Sequence, residues 1–307
     1  MKTYTWKDYR CRYEEVSSEK DVGNHSPALL LVHPIGVGLS NQFWSPFIEQ
    51  WVHSPAVHNT IYSPDLLGCG ESDMPKKAYR PQDWAEQLAY FIEEVVKGPV
   101  VLVVQGALLP VAVALMAEHE QAAKQVKGLV LSGPPAWRLM TTPTEEWKQS
   151  LAWSLFASPL GNAFYRYARR EKFLRDFSKK QLFERAEDVS ETWLSMLSEG
   201  AQDLASRYAV FSFLAGFWRQ DYSGAIAQIQ QPVLVVMGDE ASTIDRKTAQ
   251  TVRKVTDNPS QKRLQEYMDH FPRAQGVSIP GRNVLPYEST AEFVEVVVPF
   301  VKDLAQE

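Results

Sequence analysis

Cysteine is scarce in this 307-residue chain, with Cys11 and Cys69 its only two. Two thiols so placed make neither a disulfide framework nor a set of metal ligands, so no metal and no cofactor is expected. Basic charge is not in excess either. With 32 Lys and Arg against 37 Asp and Glu, the chain carries a formal charge of −5. That excludes a general nucleic-acid-binding role, because releasing counterions from phosphate requires a basic face. The opening residues, MKTYTWKDYRCRY, hold no apolar run, so a secretory leader is not expected and a cytoplasmic location is. A membrane span is also missing. The uncharged stretch from Pro99 to Ala117 approaches the ~20 residues a spanning helix needs. However, Gln105-Gly106 interrupts its β-branched first half and Pro110 opens an alanine-rich second half. That punctuation predicts strand, turn and helix.

What the sequence does have is the balance of an ordinary globular protein, 45% hydrophobic and 22% charged. Strand-like apolar runs occur at Ala28 to Val32, Thr60 to Tyr62, Val100 to Val104, Gly128 to Leu131, Val233 to Met237 and Val277 to Ile279. Helical patterns lie between most of them, which predicts an α/β fold whose mostly parallel sheet is covered on both faces. Tyr4 to Glu15 alternates polar and apolar residues and predicts an antiparallel hairpin at the sheet edge. A helix is expected from Pro81 to about Val96, and Ser289-Thr290-Ala291-Glu292 reads as an N-cap with its capping-box glutamate. Between about Trp137 and Ile229 the strand signal vanishes and aromatics accumulate. The expected organisation is therefore a core of residues 1–136 and 230–307 with a helical cap of residues 137–229 inserted into it.

Two loops carry a resemblance. His33-Pro34-Ile35-Gly36 follows the first parallel strand, and Asp65-Leu66-Leu67-Gly68-Cys69-Gly70-Glu71-Ser72-Asp73 follows the next. In this order they resemble the HGxG and DxxGxGxSD loops of α/β-hydrolases. Within that family the chain looks most like the capped branch of haloalkane dehalogenases and pheophytinases, including cyanobacterial and plastid members, with Ser158-Pro159-Leu160-Gly161 opening a similar cap helix. The glycines of the second loop do not complete a dinucleotide fingerprint, because Asp73 stands where the third glycine belongs and would repel a pyrophosphate. Asp65 reads as tying down its own turn.

The resemblance implies a Ser-acid-His triad, and its three places hold residues without that chemistry. The nucleophile elbow G-x-S-x-G is replaced by Val104-Gln105-Gly106-Ala107-Leu108, which puts Gly106 at the nucleophile. The acid position falls on Ala241 in Gly238-Asp239-Glu240-Ala241. The histidine position falls on Val284 in the loop from Pro280 to Glu288. The last histidine, His270, precedes the final strand, so no imidazole follows it to act as base. Backbone N–H groups of Ile35 and Ala107 remain as oxyanion-hole candidates. The polar candidates around the cleft are His33, Gln105, Asp239, Arg282 and Asn283. Gly106, Ala241 and Val284 are expected to converge beneath the cap around a dry pocket.

Two functions are compatible with this pattern. One is a non-hydrolytic homologue that holds an apolar or amphipathic ligand under its cap, or serves as an assembly or scaffold factor with a protein partner. The other is a hydrolase or lyase acting on an ester or other hydrophobic carbonyl substrate through relocated residues drawn from Asp239, Glu240, Asp65, His33, Gln105 or Arg282. A basic, aromatic cap segment from Phe164 to Lys180 adds peripheral contact with an anionic membrane as a further expectation.

Overall fold

The computed structural model describes residues 1–17, 26–54, 59–243 and 259–305. Their strands form one eight-stranded sheet: β1 (Lys2–Trp6), β2 (Tyr9–Val16), β3 (Ala28–Val32), β4 (Ile61–Pro64), β5 (Val100–Gln105), β6 (Val126–Ser132), β7 (Val233–Gly238) and β8 (Ala274–Ile279). The order across the sheet is β1-β2-β4-β3-β5-β6-β7-β8. The β1–β2 and β2–β4 pairs are antiparallel, and every later pair is parallel. The edge hairpin turns through Lys7 and Asp8, both at positive φ (46° and 66°). This two-residue geometry matches the right-handed strand twist.

The central strands are apolar on both sides because both sides are covered. On β5, Leu102 and Val104 face the core that contains Trp84, Leu88, Val111 and Leu115, while Val101 and Val103 face the core of Phe47, Trp51, Phe293 and Val297. Helices Pro81–Phe91, Leu109–Glu118 and Pro259–His270 therefore cover one face, and Ser45–His53 and Thr290–Leu304 cover the other. The Pro99 to Ala117 stretch resolves into β5, a short 3-10 turn at Gly106–Leu108 and the helix Leu109–Glu118. Among the described residues no helix is long and apolar enough to cross a membrane.

The capping box expected at Ser289 does not form. Thr290 does begin a helix, but the Ser289 side chain makes no cap bond and instead donates to Pro280 O at 2.7 Å. The loop after β8 competes for the hydroxyl and wins.

Between β6 and β7 the described chain is helical, and it packs into both cores. Trp193, Leu194 and Leu197 join one, and Tyr208, Ala209 and Tyr222 join the other. One close approach pins this segment to the loop after β3. A Cβ on Gly200 would lie 2.2 Å from Gly38 O, and one on Gly38 would lie 1.9 Å from Leu197 O, so only glycines let the two backbones meet.

Candidate functional site

The C-terminal ends of the parallel strands gather the residues singled out in the sequence. Gly106 follows β5 directly at φ +59°, the left-handed conformation of a sharp strand-to-helix turn. A Cβ built there meets nothing within 4 Å, so the space beside the elbow is open. Ala107 after it is half-buried, Ile35 in the loop after β3 is buried, and Ala241 and Val284 are buried.

What joins the three positions is the side chain next to each. Gln105, beside Gly106, donates from Nε2 to Asn283 O at 2.7 Å. Asn283, beside Val284, donates from Nδ2 to Ser242 Oγ at 3.1 Å and accepts from Ser242 N at 3.3 Å. Ser242 is the neighbour of Ala241. A hydrogen-bonded network thus links the neighbours of the three positions, and none of its members titrates near neutrality.

The loop from Pro280 to Glu288 is clasped to the segment 180–184. Asn283 Nδ2 donates to Gln181 O at 2.7 Å, Asn283 N to Leu182 O at 3.1 Å, and Arg282 Nη1 to Lys180 O at 3.2 Å. Gly281 N donates to Glu184 Oε2 at 3.0 Å, Arg282 N to Glu288 Oε2 at 2.9 Å, and Glu184 N to Glu288 Oε1. Arg282 and Asn283 serve as loop fasteners in this arrangement.

His33 is fully buried, and both its ring nitrogens are engaged. Leu66 N donates to Nε2 at 3.0 Å, which requires a lone pair there, so the proton sits on Nδ1 and is donated to Pro34 O at 2.9 Å. Burial pushes the imidazole down to about 4, against the opposing pull of the Pro34 carbonyl. A neutral ring with no free lone pair cannot accept a proton near pH 7.

Asp65 accepts from Asn41 N and Glu71 N at 2.9 Å each. Burial raises its carboxyl to about 6 while those two N–H groups pull it back. Asp239 and Glu240 are exposed at the end of β7, and Asp239 accepts from Ser278 Oγ at 2.5 Å.

Sequence reasoning missed Ser242 and Ser132, small polar residues with no motif around them. Ser132 pairs with Gln105 across β6 and β5. Its hydroxyl and Gln105 Oε1 are buried without a hydrogen-bond partner among the described residues. Such orphans are rare in native interiors. Two cavities of about 220 Å³ lie elsewhere, one against Arg169, Ser198 and Gln202, the other against Pro232, Arg273 and Phe300, and Gly106, Ala241 and Val284 line neither.

Residues 29–296 match the alpha/beta hydrolase family. The chain belongs to that family. By sequence alone no curated protein matches the chain. Solved structures do. A thermophilic esterase from Thermogutta terrifontis is 16% identical, with a TM-score of 0.70 over 99% of this chain and 97% of its own. A bromoperoxidase from Bacillus anthracis is 17% identical, at 0.69 over 96% of each chain. An enol-lactonase from Burkholderia xenovorans is 15% identical, at 0.68 over 100% of each. At these identities the likeness establishes the α/β-hydrolase fold alone.

Proposed function

We propose that this α/β-hydrolase homologue does not hydrolyse esters and acts through its surface as an assembly or scaffold factor. One observation carries the reading. The polar side chains beside Gly106, Ala241 and Val284 hydrogen-bond to one another and to the loop backbone, and no base stands among them to activate the one hydroxyl, that of Ser242. In this reading residues 137–229 form a cap on a core of residues 1–136 and 230–307. The chain is then a capped member resembling haloalkane dehalogenases and pheophytinases, with its triad positions filled by space and structure.

The relocated-residue alternative would bring esterase or lactonase chemistry of the kind named in the structural neighbours. It needs a poised acid or base at the cleft. Both nitrogens of His33 and both carboxylate oxygens of Asp65 are already engaged, and Asp239 and Glu240 face solvent. The test is labelling of the native protein by a fluorophosphonate together with turnover of p-nitrophenyl esters. Neither is expected above a heat-denatured control, and stoichiometric labelling of any serine would overturn the proposal.

A specific observation favours a second reading. The open space beside Gly106 and the unpaired Oε1 of the adjoining residue Gln105 support an amphipathic ligand whose polar end donates a hydrogen bond to that oxygen. Native mass spectrometry of the freshly purified protein distinguishes the two: a copurifying small molecule that Gln105→Leu releases supports the ligand, and a bare chain supports the scaffold.

A further inference from the structure

Large hydrophobic side chains are exposed unevenly over this protein. Of the eleven among the described residues, seven fall between positions 147 and 177. Helix Glu146–Phe156 buries only Gln149 and presents Trp147, Leu151 and Leu155, whose four-residue spacing sets them on one face. The following helix, Pro159–Ala168, presents Leu160, Phe164 and Tyr167. These six side chains are between 43% and 70% exposed. Tyr167 stands edge-on to Phe173 at 5.4 Å, and Phe173 stacks on Phe177 at 6.2 Å, so the aromatic row continues into the next helix. Exposed apolar side chains concentrated in one segment in this way point to an interaction site.

The charge around it is positive on balance. Residues 145–180 contain eight Lys or Arg and four Asp or Glu in a chain whose formal charge is −5. Arg166, Lys172, Lys179 and Lys180 are exposed and make no ion pair among the described residues. Arg170 lies over the Tyr167 ring at 5.8 Å, which places a cation beside the aromatic row. A second copy of the chain would bring the same cations against themselves, and like charges across an interface disfavour it.

We infer that this face, helices Glu146–Phe156 and Pro159–Ala168 with the basic segment to Lys180, docks on an anionic lipid surface. The inference does not depend on whether the cleft is catalytic. Exposed Trp, Tyr, Phe and Leu enter the boundary between headgroups and acyl chains, and the flanking Lys and Arg meet the anionic headgroups. Both helices are far too short to span a bilayer, so they would lie in its plane.

Vesicle flotation tests this on the full chain, with phosphatidylcholine alone and with an equal mixture of phosphatidylcholine and phosphatidylglycerol. Binding to the mixed vesicles is expected to be at least roughly tenfold stronger than to the neutral ones, and to weaken as salt is raised. Two exposed-residue variants should each lose most of it while melting like the parent: Trp147→Ser with Leu151→Ser and Leu155→Ser, and Arg166→Gln with Lys172→Gln, Lys179→Gln and Lys180→Gln. No flotation, equal flotation on both vesicles, or undiminished binding by both variants would overturn the inference. So would concentration-dependent self-association that the triple serine variant abolishes, which would assign the face to a second copy.

Discussion

Gly106 and Gly70 have nearly the same left-handed backbone, φ +59° and +56°, in different surroundings. A Cβ at Gly106 meets nothing within 4 Å, whereas one at Gly70 would lie 2.2 Å from three atoms of the Asp65 carboxylate. An alanine at either place bears the strain of a left-handed L-residue, about 1–2 kcal/mol. At Gly70 it must also displace a buried carboxylate from the Asn41 and Glu71 amides. Hydrogen bonds to such a group contribute about 1.5–3 kcal/mol each, so Gly70→Ala should cost roughly 4 kcal/mol or more. The gap between the two variants, roughly 3 kcal/mol, isolates the free space at the elbow from the backbone strain common to both. Urea unfolding followed by tryptophan fluorescence measures it directly. In a thermal melt Gly106→Ala should lower the midpoint by about 2–4 °C and Gly70→Ala by ~8 °C or more, at ~2 °C per kcal/mol for a domain of this size. Equal losses, or a larger loss at Gly106, would mean that the elbow space is filled and would remove the basis for a ligand beside it. Gly106→Ser should fold like Gly106→Ala and remain unlabelled by fluorophosphonates, because both ring nitrogens of His33 are already engaged.

Further outcomes follow from the same geometry. Asn283→Ala removes the bonds to Gln181 and Ser242 and should cost about 1–3 kcal/mol, with faster hydrogen exchange at 181–184 and 281–284; unchanged exchange would show that the clasp contributes nothing. The pH dependence has two opposing parts, read from His33 at about 4 and Asp65 at about 6. His33 binds its proton more weakly in the fold than in the unfolded chain, so its contribution is lost as pH falls from 6.5 toward 4. Asp65 binds its proton more tightly in the fold, so its contribution grows as pH falls through 6 toward 3.8. Asp65→Asn should therefore steepen the acid-side loss of stability, and an unchanged slope would refute the raised carboxyl. Phe211 is fully buried, stacked on Phe156 at 4.8 Å and packed against Tyr165. Phe211→Ala should cost about 3–5 kcal/mol and free residues 146–168 to proteolysis before the sheet opens.

Local pattern alone determined much of this protein. The apolar runs of β3, β5, β6 and β7 could be read because a strand buried on both faces must be apolar at successive positions. The hairpin was legible because alternation is a two-residue signal. That no histidine follows His270 is a property of the chain that folding cannot change. Strand ends were less legible: β8 begins at Ala274, well before the apolar run from Val277, because its edge position exposes Gln275 and Gly276. Whether Gln105, Asn283 and Ser242 form one network depended on the order in which β5, β6, β7 and β8 lie side by side, and no periodicity encodes a contact 178 residues apart. His33 was recognisable as a loop residue, but its neutrality follows from Leu66 N reaching Nε2 in the folded state. Ser289 shows the same limit in reverse: its sequence context is that of a helix cap, and only the approach of Pro280 O after β8 turned its hydroxyl away. Propensities act over one turn of helix or a few residues of strand, whereas these bonds exist because parallel strands bring their C-terminal loops to one edge of the sheet.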